Sequence, residues 1–144
     1  MTAHPVLIRP YEEHDQEAVV ALWNAAGLTR PWNDPRKDIA RKLEVQRDLF
    51  LVGEADGVVV ASVMAGYDGH RGWVNYLAVH PDRQRRGYAR LLMAEVERLL
   101  LDRGCPKVNM QVRDGNDAAM AFYDALGYGR DQALSLGKRL IVDG

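Results

Sequence analysis

The sequence contains a single cysteine, Cys105, which excludes an intramolecular disulfide and a multi-cysteine metal site and suits a reducing compartment. Positive charge is not in excess either. Lys and Arg number 19 against 20 Asp and Glu, so the surface as a whole offers nothing to neutralise a nucleic-acid backbone or an anionic membrane. No apolar run approaches the ~20 residues of a membrane span, and Met1 to Pro10 lacks the apolar stretch of a signal peptide. The cytoplasm is the simplest address. Repeats, low-complexity tracts and Ser/Gly-rich linkers are missing, so residues 1–144 are expected to form one domain. His4, His14 and His80 show no metal-ligand spacing, and no metal is expected. Cys105, between Gly104 and Pro106, has no activating partner in the sequence and reads as a small core residue at a turn.

What is present is an alternation of strand and helix patterns. Val6 to Arg9 can open a sheet, and Asp15 can cap a helix whose Ala18, Val19, Leu22, Trp23 and Ala26 share one face, ending at Gly27. Asp34-Pro35 marks a second helix start, reaching Arg47 with little apolar surface beyond Ile39, Leu43 and Val45. Leu49 to Glu54 and Val58 to Tyr67 form a hairpin through Ala55, Asp56 and Gly57. Trp73 to Val79 is apolar on both faces and reads as a buried central strand.

A long helix follows, with Leu92, Met93, Val96, Leu99 and Leu100 at helical spacing and a stop at Gly104 and Pro106. Val108, Met110 and Val112 then alternate on a strand that a βαβ crossover makes parallel to the central one. Asn116 caps a last helix ending at Gly127, and Tyr128 to Ala133 and Leu134 to Leu140 read as a final strand pair. The expected fold class is α/β, a mixed central sheet with helices on both faces.

The chemistry concentrates between the central strand and the long helix, from His80 to Arg90. Free amides at a helix N-terminus, the positive end of its dipole and four arginines within eight residues suit a phosphate. Gly87 lets the backbone approach a ligand, and Ala89 adds little bulk. The three spaced glycines of a dinucleotide fingerprint and the Gly-Lys-Ser/Thr ending of a P-loop are both missing. In isolation the segment would read as a tight turn with solvated arginines. Its place after a buried strand and before an amphipathic helix favours a ligand loop.

Gln84-x-x-Gly87-x-Ala89, the Leu77-Ala78-Val79 strand, and Asn116 to Tyr128 with Phe122-Tyr123 and Leu126-Gly127-Tyr128 resemble the GNAT acetyltransferases over essentially the whole chain. The segments 30–35, 66–72 and 135–140 look more narrowly like the YpeA branch of that family. The resemblance implies acetyl-CoA as donor substrate, with its pyrophosphate held by the loop around Gln84, Arg85, Arg86, Gly87, Tyr88, Ala89 and Arg90. It further implies pantetheine running along Leu77, Ala78 and Val79, contact with Asn116, and Tyr123 as the general acid toward the departing thiolate. Helical spacing sets Tyr123 off a stripe of Ala118, Ala121, Phe122 and Ala125, where its hydroxyl can face a cleft.

Relatives often carry a glutamate on one of the two central strands, but Asn75 and Gln111 stand at the corresponding places here, and neither is a base. Asp34, Asp68, His70 or water remain as candidates. Trp32 is open between a packing role and a wall of the acceptor cleft, and Trp73 is assigned to the core. The expected function is direct acetyl transfer from acetyl-CoA to a primary amine of a small molecule or peptide. Alternatives are a longer acyl donor, a non-catalytic acyl-CoA-binding regulatory module, and a local nucleic-acid patch at Arg83 to Arg90, which the balanced charge disfavours. Exposed sheet edges leave a homodimer undecided.

Overall fold

The computed structural model describes residues 5–143, so His4 lies outside the described residues. Five strands pair in the order β1 (Leu7–Pro10), β2 (Phe50–Ala55), β3 (Val58–Tyr67), β4 (Gly72–Val79) and β5 (Val108–Met110). The first three pairings are antiparallel and the last is parallel. Helices α1 (Gln16–Ala25) and α2 (Pro35–Leu43) cover one face, and α3 (Tyr88–Asp102) and α4 (Asp117–Ala125) the other.

The period-2 pattern of the strands divides the core between those layers. Leu51, Ala61, Val63 and Ala65 face α3 with its Leu92, Met93, Val96 and Leu100. Phe50, Val52 and Met64 face α1 with its Val19, Leu22 and Trp23. At the β2–β3 turn, Asp56 (φ 54°) and Gly57 (φ 75°) are both left-handed, the conformation a two-residue hairpin needs to follow the strand twist. Asp34 starts α2 as expected, accepting the Arg36 amide at 2.9 Å with Pro35 in the first helical position.

Several expectations fail for local reasons. Helix α2 stops at Leu43, because Gln46 turns left-handed (φ 52°) and its side chain bonds both the amide (2.8 Å) and the carbonyl (2.9 Å) of Tyr67. The Asp15 carboxylate does not cap α1. It accepts two bonds from Arg9, at 2.7 and 2.9 Å, and one from the Glu12 amide, and so closes the short 3-10 turn before the helix. Strand β4 is not buried along both faces: the α1–α2 layer covers Tyr76 and Ala78, while Asn75 is exposed and Trp73, assigned to the core by its sequence, is 39% exposed.

The final strand pair does not form. Pairing to β5 ends at Met110, Asp131 is held by Lys107 at 2.8 Å, and the chain from Tyr128 onward joins no strand ladder among the described residues. Leu134, Leu136 and Leu140 are 92%, 93% and 87% exposed. Alternation of apolar residues reports a preference for extended backbone and does not by itself bring a segment into register with a partner, even where the outer edge of β5 is unpaired among the described residues.

Candidate active site

The site begins with an irregularity in β4. Ser62 pairs with Ala78 and Met64 with Asn75, so Tyr76 and Leu77 together oppose the single residue Val63. This is a β-bulge, and Tyr76 carries it with φ 52°, a conformation costly for a bulky side chain, about 1–3 kcal/mol. Three contacts hold it there. The Tyr76 ring stacks on Trp23 with centroids 3.8 Å apart, its carbonyl accepts the Ser62 hydroxyl at 3.0 Å, and its hydroxyl donates to Asp38 at 2.6 Å. Ser62 is fully buried and also accepts the Trp23 indole N–H at 2.9 Å, so both of its hydrogen-bonding roles are used.

Beyond the bulge, β4 and β5 part. Strand β5 pairs only with Gly72, Trp73 and Val74. On the other side of β4, the His80 amide donates to the Val60 carbonyl at 2.8 Å. That bond fixes the parity: His80 and Ala78 direct their backbone groups at β3, and Leu77 and Val79 direct theirs at the gap left by β5. On the side left by β5, Leu77 and Val79 thus present a row of donors and acceptors to an extended ligand.

The open edge runs into the loop that starts α3. His80 Nδ1 accepts the Asp82 amide at 3.1 Å, closing a short turn, and Arg83 pairs with Asp56 at 3.3 Å. Arg85 (φ 66°) and Gly87 (φ 80°) are both left-handed, a backbone form that turns successive amides inward around an anion. Gly87 is the cap residue of α3 and has no side chain with which to satisfy the first amides of the helix. A Cβ placed on Gly87 would meet nothing within 4 Å, so the space above it is open. Gln84, Arg85, Arg86 and Arg90 are exposed around this helix end, while Tyr88 is buried and Ala89 half-buried beneath it.

On the same face, the Asn116 carbonyl oxygen caps α4 by accepting the Ala119 amide at 3.1 Å, leaving its NH2 group on the exposed side. The inward stripe of α4 is not the expected one. Ala118, Ala121 and Ala125 are exposed, and Ala119, Phe122, Tyr123 and Leu126 turn inward. Both sets follow helical spacing, and the contacts of Tyr123 with Phe122 (5.1 Å) and Tyr128 (5.8 Å) select the second. Tyr123 therefore lies on the packed face, yet its hydroxyl finds no protein partner among the described residues. Burial pushes its pKa up, which keeps it protonated at neutral pH.

The proposed bases separate clearly. Asp68 accepts the amides of Arg71 (2.7 Å) and His70 (2.8 Å), and those bonds hold its carboxyl below the usual range. It closes its own turn, and His70 is an exposed member of the same turn. Asp34 is committed to the α2 cap. Asn75 and Gln111 are both exposed, and Gln111 donates to Ser135. Trp32, 54% exposed, does not pack as a staple; Arg139 donates to its carbonyl. Sequence reasoning missed Ser62, Tyr76 and Asp38. A bulge borne by a tyrosine leaves no glycine to mark it, and Asp38 looks like any solvent-facing helix residue.

Among the described residues, no group of three or more His, Cys, Asp or Glu side chains is gathered to hold a metal, and no helix is long and apolar enough to cross a membrane. The profile of the Acetyltransferase (GNAT) family matches residues 11–128. An acetyltransferase of Yersinia pestis (strain Pestoides F) is 52% identical over 136 residues, covering 94% of this chain and 96% of its own length. One of Sodalis glossinidius (strain morsitans) is 53% identical over 137 residues, with the same coverage.

Among solved structures, the aminoglycoside acetyltransferase AAC(6')-Iy, in complex with a bisubstrate analogue containing CoA, aligns with a TM-score of 0.77 at 21% identity, over 94% of this chain and 99% of that one. The ribosomal-protein-S18-alanine N-acetyltransferase of Escherichia coli aligns at 0.75 with 25% identity, over 89% and 80%. With an open central-strand edge leading into an uncapped helix, and relatives that match nearly end to end, the chain belongs to the GNAT family of acetyltransferases.

Proposed function

We propose that this acetyltransferase moves an acetyl group directly from acetyl-CoA to a primary amine. The observation that carries the reading is the continuity of the Leu77–Val79 edge with the α3 N-terminus. Such an edge suits the amides of a pantetheine arm, and the helix end, with Arg85, Arg86 and Arg90 around it, suits the pyrophosphate. Gln84 and Tyr88 to Arg90 border that cradle, and the Asn116 NH2 group faces the arm from α4. The donor in a solved neighbour supports this: AAC(6')-Iy is seen in one structure with a CoA-containing bisubstrate analogue and in another with CoA. The acceptor of the Escherichia coli neighbour is an alanine amine and those of the aminoglycoside enzymes are amino groups, which supports an amine here.

In this reading the β4 edge orients the thioester, and the backbone amide of Leu77 or Val79 donates to the carbonyl oxygen as it gains charge. Tyr123 donates its hydroxyl proton to the sulfur as the C–S bond breaks. The lone cysteine suits the cytoplasm as the place of action.

The reading is tested by following free thiol release from acetyl-CoA on addition of a peptide N-terminal amine, a lysine side chain, a polyamine and an amino sugar in turn. Thiol release that depends on one of these amines, with an acetamide as second product, is expected. Thiol release independent of every amine would contradict direct transfer.

A further inference from the structure

We propose that Asp38 is the residue that binds the acceptor's ammonium group and takes its proton. The inference rests on the donor placement above and goes beyond it by assigning the acceptor side. Asp38 lies on α2, and its Oδ2 accepts the hydroxyl of Tyr76, the bulge residue adjoining Leu77, at 2.6 Å. Its carboxylate is thus one tyrosine side chain from the strand edge assigned to the thioester, on the face of the sheet opposite α3 and α4.

Asp38 also has room to bind. Its Oδ1 accepts Arg41 at 3.2 Å, so two donors occupy a group with about four acceptor positions, and the side chain is 21% exposed. Two other carboxylates are committed elsewhere. Asp143 takes the Asp34 amide (2.8 Å), Arg41 (2.5 Å) and Arg139 (3.0 Å), with its side chain almost fully buried. Asp68 takes two amides of its own turn.

Around Asp38 the charges are fixed: Asp143 draws Arg41 away on its other nitrogen, and Arg139 ties Asp143 to Asn33 at 2.8 Å and to Trp32. Tyr76 remains a donor, because burial first and the bond to Asp38 second hold its pKa well above the usual tyrosine value. The positions of Asn75 and Gln111 lack a carboxylate, and Asp38 supplies one from the helical layer.

The proton balance closes. Asp38 accepts one proton from the acceptor's ammonium; the freed nitrogen lone pair forms a C–N bond to the thioester carbon, and the C–S bond breaks. The amide nitrogen's surplus proton passes to water, as does the one held by Asp38. The sulfur takes its proton from Tyr123, which regains one from solvent. Tyr76 and Arg41 are positioning residues.

The test does not need the natural acceptor. S-(2-aminoethyl)-CoA and S-(4-aminobutyl)-CoA place an ammonium beyond the sulfur at two distances, and S-propyl-CoA and S-pentyl-CoA match them in length without charge. Calorimetry at pH 7.5 should show one amine-tipped compound binding wild type about tenfold more tightly than its alkyl counterpart, the size of one charge-assisted hydrogen bond. In Asp38→Asn the preference should vanish while CoA affinity stays within about twofold.

Equal binding of the charged and uncharged compounds by wild type, or an equal preference in Asp38→Asn, would overturn the assignment. So would a uniform loss for all four compounds, which would mark a structural role. Should Asp38→Asn not fold, Asp38→Glu carries the charge one methylene further out and should shift the preference toward the shorter arm; an unchanged preference overturns the proposal. Failure of every CoA compound to bind instead removes the donor site on which the inference rests.

Discussion

Ser62→Ala tests whether the bulge is held from within the core. The serine hydroxyl is the acceptor for the Trp23 indole N–H and the donor to the Tyr76 carbonyl, at 2.9 and 3.0 Å, and both Ser62 and Trp23 are fully buried. Removing one oxygen leaves a buried donor without its partner, at about 1–3 kcal/mol, and weakens the satisfaction of a carbonyl that already sits in a strained residue. The expected sum is about 2–4 kcal/mol, a large part of the ~5–15 kcal/mol that holds a domain together. At this chain length that is a fall in melting temperature of about 6–12 °C.

A comparison variant, Val60→Ala, removes buried apolar volume from the same strand without touching the bulge. Both variants should lose stability, and well below the transition only Ser62→Ala should bind CoA less tightly, because only there does the Leu77–Val79 edge relax. Calorimetric titration of folded protein at 20 °C checks this. A stability change under about 1 kcal/mol would refute the pin. Full destabilisation with unaltered CoA affinity would refute the link between the bulge and the donor site.

Tyr123→Phe should leave acetyl-CoA affinity unchanged and lower kcat by about 10²-fold, since it removes a proton donor and no binding surface; equal turnover would remove Tyr123 from the mechanism. Gly87→Val meets open space but forces a β-branched residue to φ 80°, costing upward of ~1–2 kcal/mol, and should weaken CoA binding in a folded protein; undiminished affinity counts against the loop. Gly72→Ala drives a Cβ to 2.9 Å from both Cys105 Sγ and Leu100 Cδ1, and should destabilise by about 1–3 kcal/mol, read from denaturant unfolding.

Asp143 is held well below the usual carboxylate range by Arg41 first and by the Asp34 amide second, with Arg139 beside it and Lys37 on its carbonyl. A depressed folded-state pKa contributes stability above about pH 4 that is lost as pH falls through the folded value. The margin of wild type over Asp143→Asn should therefore be constant from pH 5 to 8 and shrink below about pH 4. A margin independent of pH would refute the ion-pair account.

Much of the local structure around the candidate site was legible in the chain. Asp34-Pro35, Asp56-Gly57, Gly87 and the Leu92 to Leu100 stripe each have one local physical solution, and the structure adopts it. The bulge in β4 was not legible, because it is set by contacts distant in sequence. Tyr76 becomes left-handed through Trp23, Ser62 and Asp38, none of them a neighbour. The facing stripe of α4 was ambiguous by spacing alone and was decided by the ring contacts of Tyr123. The segment after Tyr128 has strand-like alternation yet joins no ladder among the described residues although the outer edge of β5 is unpaired there, and propensity carries no information about partners.

The most direct test of the donor site is a titration of the purified protein with CoA, acetyl-CoA and ATP, recording binding heat and thermal stabilisation. A ligand that binds only the folded state raises its apparent stability, by about 2.7 kcal/mol at a hundred times Kd. CoA and acetyl-CoA should each bind once per chain and raise the melting temperature, with ATP, which lacks the pantetheine arm that Leu77 and Val79 would pair, far weaker. Absence of binding by either CoA species, or equal stabilisation by ATP, would contradict the placement of acetyl-CoA along β4 and the α3 N-terminus.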